Sequence, residues 1–213
     1  MNVLLLGATG FSGKEVLSEL LSKNHKVTII TRKKASVDSK DKNLTVLEGN
    51  VLDESLINEA VKNQDAVINC LGIGGKGNAK PNSLVSDATK ILVNSMERYN
   101  VKRLICMSNV GAGDSMQFQP WIFSKVVLPY FMKWLKVIID DKNIMEPIVM
   151  DSSLDWTILR FPNIINKPPK EKVTTSFDGK RLKMSITNKD LANFMVNQLN
   201  DKGLVNKAPC VSN

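Results

Sequence analysis

The chain has few of the residues that bind metal ions or form disulfide bonds. Its 213 residues include one histidine, His25, and three cysteines, Cys70, Cys106 and Cys210, with no CxxC pair among them. A metal site needs clustered ligands, so no metal site is predicted and His25 is expected to be an exposed loop residue. The three thiols are expected to be reduced, as in a cytoplasmic protein.

Long apolar runs are also scarce. The first one ends at Leu6 with no basic stretch before it, so it lacks the pattern of a secretory signal. The apolar stretch from Trp121 to Ile139 contains three lysines and Pro129, and charges are costly inside a bilayer. No membrane span is predicted. We expect two helical pieces, split at Pro129, within a helical excursion over about 115–151 that lines the substrate mouth; an interfacial helix, core packing or a dimer contact are the alternatives.

The chain is basic, with 29 Lys and Arg residues against 21 Asp and Glu and a net charge of +8. The basic residues alternate with acidic ones and have no aromatic residues interleaved, which argues against a nucleic-acid surface. A general attraction for anionic cofactors and substrates explains the charge more simply. The length and the apolar fraction of 43% fit one domain, 1–213, with a sizeable core.

The N-terminal residues have the pattern of a strand, a glycine turn and a helix. Val3 to Leu6 is a short apolar run, and helical periodicity follows from Lys14 to Lys23. Between them stand Gly7, Gly10 and Gly13, which suit a tight turn, close approach of the backbone to a diphosphate, and close packing of helix on sheet, respectively. The unpaired amides of the first helical turn would face the phosphates, so we predict a dinucleotide site here.

The second strand, Lys26 to Ile30, bears on which dinucleotide would bind. The residue after such a strand meets the adenosine ribose, where a carboxylate binds the 2′-hydroxyl and an arginine accommodates a 2′-phosphate. This chain has Thr31-Arg32-Lys33-Lys34 at that point and no carboxylate. The pattern favours NADP(H) over NAD(H), with a solvated basic turn as the alternative.

Further strands and helices alternate at short, regular spacing. This order predicts an α/β fold: a Rossmann-like, doubly wound parallel sheet in a single domain, with ligands at the carboxyl ends of the strands. Expected later features are a basic loop after Phe161-Pro162-Asn163 and a helix capped by Thr187. The remaining predicted strands are Leu44–Leu47, Asp65–Asn69, Lys102–Met107, Trp156–Arg160, Leu182–Ile186 and Pro209–Val211.

Several motifs together resemble those of the NAD(P)H-binding atypical short-chain dehydrogenase/reductase family, nearest to the biliverdin-IX-beta reductase/flavin reductase group and the NADH-flavin reductases. The resemblance runs from Met1 to about Asn200 and indicates the superfamily better than the reaction. The motifs are Gly-Ala-Thr-Gly-Phe-Ser-Gly (7–13), Thr-Arg (31–32), Gly-Asn-Val-Leu-Asp (49–53), Met-Ser-Asn (107–109), Asp-Asp-Lys (140–142), Leu-Asp-Trp-Thr-Ile-Leu-Arg-Phe-Pro (154–162) and Ile-Thr-Asn-Lys-Asp-Leu-Ala (186–192).

The resemblance implies a set of cofactor-binding residues. The family usually has Asp at the position of Asn50, but an amide can also bind adenine. By resemblance, Thr9, Gly10, Phe11 and Ser12 would hold the phosphates, Arg32 the 2′-phosphate, Asn50 and Val51 the adenine, and Leu71 and Gly72 the adenosine ribose, while Ser108 would lie beside the nicotinamide with Phe161, Pro162 and Asn163 as the wall behind it.

The usual proton relay of short-chain dehydrogenases is missing. That relay pairs a Tyr with a Lys four residues later, and the frame that ends at Lys142 begins with Ile138. The flavin and biliverdin reductases similarly lack this Tyr and pass hydride to a planar acceptor. By that resemblance Ser108 would anchor the substrate, unless it is a satisfied strand-end hydroxyl. Lys142 would face an anionic substrate, unless it is an ordinary surface lysine on a helix.

Three hypotheses follow for a chain that could be a monomer or a homodimer. The first is an NADPH-dependent reductase of a flavin, a quinone or a similar small planar acceptor. The second is a non-catalytic NADP(H) sensor that binds a protein partner, which the missing Tyr would permit. The third, a nucleotide-sugar epimerase or dehydratase, is disfavoured because that chemistry depends on the Tyr.

Overall fold

The fold is built on one long sheet that the helices cover on both sides. The computed structural model describes residues 1–34, 37, 41–73 and 83–213. The described strands are β1 (Asn2–Leu6), β2 (Lys26–Thr31), β3 (Leu44–Glu48), β4 (Ala66–Asn69), β5 (Arg103–Asn109), β6 (Asp155–Phe161), β7 (Asn163–Ile165), β8 (Thr174–Ser176), β9 (Ser185–Thr187) and β10 (Cys210–Ser212). The helices are α1 (Phe11–Ser22), α2 (Glu54–Val61), α3 (Leu84–Arg98), α4 (Lys133–Met150) and α5 (Asn188–Asn197), with a 3-10 helix at Gly113–Phe118 and a π-helix at Phe123–Phe131.

The main sheet has the order β3-β2-β1-β4-β5-β6-β10-β8. Its strands pair in parallel except for β8, which runs antiparallel to β10 at one edge. The order reverses between β1 and β4, so the carboxyl ends of these two strands flank the crevice where a doubly wound sheet binds its ligands. The predicted α/β, Rossmann-like doubly wound fold in a single domain is therefore confirmed.

Successive side chains of each strand point to opposite faces of the sheet, so the core has two layers. Leu5 in β1 packs with α1 and α5 on one face, while its neighbours Leu4 and Leu6 pack with α2, α3 and α4 on the other. Both layers are apolar, as expected for parallel strands that are covered on both faces. The helices therefore hold the strand ends rigidly at the edge where the site is predicted.

The structure corrects several details of the sequence interpretation. The strand expected at Leu182–Ile186 is β9, which begins at Ser185 and pairs with β7 in a separate two-stranded sheet. The basic loop contains the short strand β8. Pro129 does not split the helical excursion, because it lies inside the π-helix and the break falls at Met132.

His25 also differs from expectation. Its side chain is only 8% exposed, on the turn between α1 and β2, so it is buried rather than an exposed loop residue. Burial lowers its pKa, together with the charges of the N-terminus and Lys23. The sequence pattern did not predict the burial of His25, because this burial depends on the turn backbone returning to the end of α1. There the His25 N–H donates to the Leu20 carbonyl at 3.1 Å.

Candidate nucleotide-binding site

Glycine is required at two positions of the turn after β1. Gly7 has a φ of +79°, and a Cβ there would lie 2.6 Å from the Cys70 carbonyl oxygen of the adjoining β4 segment. A Cβ on Gly13 would lie 2.0 Å from the Gly7 carbonyl oxygen. The backbone therefore leaves no room for a Cβ at either position. Without these side chains, a ligand can approach the turn and the N-terminus of α1 closely.

The N-terminus of α1 is open to a negatively charged group. Its N-cap residue is Gly10, which provides no side-chain cap, and the first turn (Phe11-Ser12-Gly13-Lys14) contains no carboxylate. The first-turn amides and the helix dipole therefore fit a diphosphate. Thr9, Gly10 and Phe11 are exposed, whereas the Ser12 side chain is 7% exposed.

α5 supports this turn through a residue that sequence reasoning missed. The side-chain amide of Asn188 donates to the Phe11 carbonyl at 2.9 Å, across the gap between α5 and the start of α1. Asn188 itself is 3% exposed. Its place after the Thr187 cap marked the helix start, but nothing local marked the contact with Phe11.

The predicted 2′-phosphate position lies at the end of β2. The Arg32 side chain is exposed and forms no hydrogen bond or ion pair with the described residues. A carboxylate is nearby, however: Glu48 in β3 is level with Thr31 and accepts a hydrogen bond from the Lys34 N–H at 2.9 Å. Sequence reasoning considered only the residues that follow β2 and therefore missed Glu48.

The adenine and ribose positions follow β3 and β4. The Asn50 side chain is exposed, and its Oδ1 accepts from the Leu52 N–H at 3.1 Å, which leaves its NH₂ group available to a base. Val51 and Leu71 are half-buried and Gly72 is exposed, with open space around the position of a Cβ. These surfaces lie at the carboxyl edge of the sheet, on both sides of the glycine turn.

Lys142 is buried, so the expectation of an ordinary surface lysine is wrong. Its side chain is 3% exposed, and its Nζ donates to the Met107 carbonyl at 2.7 Å and the Leu71 carbonyl at 3.1 Å. Burial lowers its pKa, opposed by the nearby Cys106 and Asp141. The ammonium therefore joins the end of β5 to the segment that leaves β4, where the ribose is expected.

Asp141, the neighbour of Lys142, is also buried and also binds backbone. Its carboxylate accepts from the Val85 N–H at 3.0 Å and the Ser86 N–H at 3.1 Å, in the first turn of α3. Two successive charged residues of α4 thus fix the end of β4 and the start of α3. α4 therefore forms hydrogen bonds on both sides of the β4–α3 connection, to Leu71 before it and to Val85 and Ser86 after it.

Ser108 belongs to a buried ionic network. Its side chain is fully buried, and its Oγ donates to Glu146 Oε1 at 2.7 Å. Arg160 binds the same carboxylate twice, through Nε to Oε1 at 3.0 Å and through Nη2 to Oε2 at 2.6 Å, and it also contacts Asp114. Burial alone would lower the pKa of Arg160, but the hydrogen bonds and charges of Glu146 and Asp114 raise it.

Sequence reasoning missed Glu146 and Arg160 as site residues. The signal was present, because Glu146 follows Lys142 by one helical turn and Arg160 is the only charged residue after Asp155 in the buried strand β6. The two residues also form one wall of a cavity of about 470 Å³ beside α4, which Asn143, Phe177 and Lys207 line further.

The three residues predicted as the wall behind the nicotinamide differ in exposure. The Phe161 ring is fully buried in the α1/α5 core layer, so it cannot face a ligand. Its carbonyl accepts from the Val110 N–H at 2.9 Å and so shapes the loop after Ser108. Pro162 is half-buried and Asn163 is exposed, and these two remain as candidates for the wall.

Neither tyrosine of the chain replaces the missing relay residue. Tyr99 follows the end of α3 and lies under Lys62, whose Nζ is 5.3 Å from the ring centre. Tyr130 is 70% exposed on the π-helix. Ile138, one helical turn before Lys142, is half-buried.

Comparison with known proteins identifies the family. A model of a family described as NAD(P)H-binding matches residues 7–202, which is most of the chain and includes the glycine turn, Ser108, Lys142 and Arg160. The chain belongs to this NAD(P)H-binding family. Membership agrees with the resemblance read from the sequence motifs, and it accounts for the glycine turn and the open N-terminus of α1.

Individual relatives extend this comparison. The UPF0659 protein YMR090W of Saccharomyces cerevisiae is 27% identical, over 93% of this chain and 87% of its own length. Among solved structures, ChuY, an anaerobilin reductase from Escherichia coli O157:H7, has a TM-score of 0.79 at 19% identity and covers 100% of this chain and 97% of its own. A short-chain dehydrogenase/reductase from Veillonella parvula, solved in complex with NADP, has a TM-score of 0.75 at 18% identity, with coverage of 100% and 94%. These two structural likenesses show the fold.

Proposed function

We propose that this protein is an NADPH-dependent reductase of a planar acceptor such as a flavin or a quinone. In this proposal the first turn of α1 binds the diphosphate and Arg32 binds the 2′-phosphate. Asn50, Val51, Leu71 and Gly72 hold the adenosine half. The nicotinamide supplies the hydride when the cofactor is bound, and it lies near Ser108, Pro162 and Asn163.

One observation carries the choice of reaction: no phenol accompanies the buried Lys142. Carbonyl reduction by the usual relay needs a tyrosine that exchanges a proton with the carbonyl oxygen. Here the position one turn before Lys142 is Ile138, and both tyrosines lie elsewhere in the fold. A conjugated planar acceptor can take hydride while solvent supplies the proton, so it needs orientation more than a positioned acid. ChuY, with the same fold, is a reductase by its published name, which supports the proposal.

The side chains near the reacting ring would fix the geometry of the site and take no part in the chemical step. Lys142 holds the Leu71 and Met107 carbonyls, which keeps the ends of β4 and β5 at a fixed separation under the ribose. Ser108 is fully buried and donates to Glu146, so it would support the loop after β5 rather than contact the ligand directly. Glu146 is in turn held by Arg160, and this fixes the rotamer of Ser108.

A spectrophotometric assay tests the proposal. Purified protein is mixed with NADPH or NADH and with FMN, FAD or a soluble quinone, and the loss of reduced-nucleotide absorbance is followed. We expect turnover with at least one acceptor and a preference for NADPH. Arg32→Ala should weaken NADPH binding about tenfold or more and leave NADH binding nearly unchanged, because a charge-assisted contact with a phosphate is lost. Lys26→Ala, at the opposite end of β2 and exposed, is the control for general loss of positive charge. Absence of turnover with every acceptor contradicts the reductase.

A second candidate, a non-catalytic NADP(H) sensor, is favoured by a specific observation. Both polar side chains predicted for catalysis have structural partners, since Ser108 binds Glu146 and Lys142 binds two backbone carbonyls. The sensor would bind NADP⁺ and NADPH tightly, with no turnover, and would retain a protein partner through purification. Calorimetric titration of both nucleotides together with the absorbance assay distinguishes the two candidates.

A further inference from the structure

Exposed apolar side chains are concentrated just before α4. Within the π-helix only Leu128 is buried, although most of its residues are apolar. We define the apolar patch by its large exposed members. They are Trp121 at 69% exposure, Ile122 at 60%, Val126 at 37%, Tyr130 at 70% and Phe131 at 77%.

The helix geometry places these side chains on one face. A π-helix forms hydrogen bonds from residue i to i+5, as the Met132 N–H does to the Val127 carbonyl at 2.9 Å. Residues four and five positions apart therefore stand above one another. Trp121, Val126 and Phe131 are spaced by five, and Ile122, Val126 and Tyr130 by four. The opposite side contributes Leu128 to the interior.

The chain segment that holds the apolar patch contains lysines but no carboxylate. No carboxylate occurs in the sequence between Asp114 and Asp140, whereas Lys125, Lys133 and Lys136 fall in this interval and are all exposed. Lys136 is paired with Asp140 at 2.6 Å. Lys125 lies within the patch segment, next to Val126, and Lys133 follows Phe131 by two positions, so the two lysines give the patch a positively charged rim.

We propose that the apolar patch docks on a bilayer surface rich in anionic lipid headgroups. Exposed Trp and Tyr beside aliphatic side chains and lysines form the pattern of a segment that lies in the membrane interface. The lysine rim is complementary to an anionic surface, with a contribution from each cation close to it. A second copy of the chain fits less well, because it would bring two rims of the same sign together. Within residues 1–34, 37, 41–73 and 83–213, no helix is long and apolar enough to cross a membrane, so docking is peripheral.

Vesicle co-sedimentation tests this docking. The full chain is spun with vesicles of phosphatidylcholine alone and of phosphatidylcholine with phosphatidylglycerol, and the tryptophan emission, in which Trp121 is the most exposed of three fluorophores, is followed for a blue shift. We expect binding to the anionic vesicles, weakened by added salt, and little binding to the neutral ones. Two double variants, Tyr130→Ser with Phe131→Ser and Lys125→Glu with Lys133→Glu, should each reduce binding at least about tenfold.

Matched controls separate docking at the patch from general attraction. Lys90→Glu with Lys202→Glu changes the net charge equally at exposed positions elsewhere, and Met184→Ser removes an apolar side chain that is 88% exposed outside the patch. Both controls should retain most of the binding. The proposal is overturned if wild-type protein does not bind anionic vesicles, if it binds neutral ones equally well, or if the controls lose as much as the patch variants. It is also overturned if the patch variants only turn a dimer into a monomer in sedimentation equilibrium. Circular dichroism and nucleotide binding verify that each variant is folded.

Discussion

The buried network around Ser108 permits a sharp test on a single helix. α4 carries two carboxylates whose ion pairs have the same N–O distance, 2.6 Å, to Arg160 for Glu146 and to Lys136 for Asp140. In the Glu146 pair the side chains are 3% and 2% exposed, whereas in the Asp140 pair they are 48% and 52% exposed. The substitutions Glu146→Gln and Asp140→Asn therefore remove the same charge from two pairs that differ in burial and in the further hydrogen bonds that Glu146 accepts from Ser108 Oγ and Arg160 Nε.

The expected loss of stability differs strongly between the two variants. Removal of one partner of a buried pair costs about 3–5 kcal/mol, because the other charge is left without compensation. Arg160 would keep its contact with Asp114, whose side chain is 68% exposed, so we expect a value near the lower limit, about 3 kcal/mol for Glu146→Gln. An exposed pair contributes at most about 0.5 kcal/mol when it joins residues one helical turn apart, which is the value we expect for Asp140→Asn.

Urea denaturation followed by circular dichroism measures both values. The m-value should stay constant, so that the shift in midpoint reports stability alone. A third variant, Glu146→Leu with Arg160→Met, should recover most of the loss because it removes both charges together. The reasoning is refuted if Glu146→Gln costs no more than Asp140→Asn, since burial would then not decide the strength of these pairs.

Three further predictions concern the turn, an acid-sensitive cap and the thiols. Gly13→Ala should abolish calorimetrically detected NADP(H) binding, because its Cβ would lie 2.0 Å from the Gly7 carbonyl oxygen, whereas Gly203→Ala, which lies outside the proposed site and would meet only the end of the Asp201 side chain, should fold and retain the binding. Hydrogen bonds from Thr187 and from the Lys170 and Glu171 amides lower the pKa of Asp190 against the effect of burial, so its contribution to stability is present above the unfolded pKa of about 3.9 and is lost as pH falls through the lower folded value. Asp190→Asn should flatten the fall in unfolding free energy below about pH 4, measured by urea titration. Burial raises the pKa of Cys106 to about 12, so iodoacetamide at pH 8 should label it only after denaturation, as mass spectrometry would show.

Local sequence patterns were enough to predict the cofactor half of the fold. In β1 and α1, strand, turn and helix follow one another within the first 22 residues, and each has a distinct signal: an apolar run, spaced glycines and helical periodicity. Pairing between β7 and β9 had no such signal, because each strand has three residues and the two are joined only through tertiary contacts. Their partners could not be read from periodicity.

Lys142 was predicted as a site residue, but its burial and its backbone partners were not. It stands in the run Asp140-Asp141-Lys142-Asn143, and four polar residues in sequence normally indicate a solvent-facing stretch. Two of these residues face inward because the carboxyl ends of β4 and β5 and the first turn of α3 leave backbone groups without partners there. Asp141 accepts from the orphan amides of α3, and Lys142 donates to the Leu71 and Met107 carbonyls. The need for buried charges thus arises from backbone groups that lie far away in sequence, so only the fold could show that Asp141 and Lys142 are the members of the polar run that face inward.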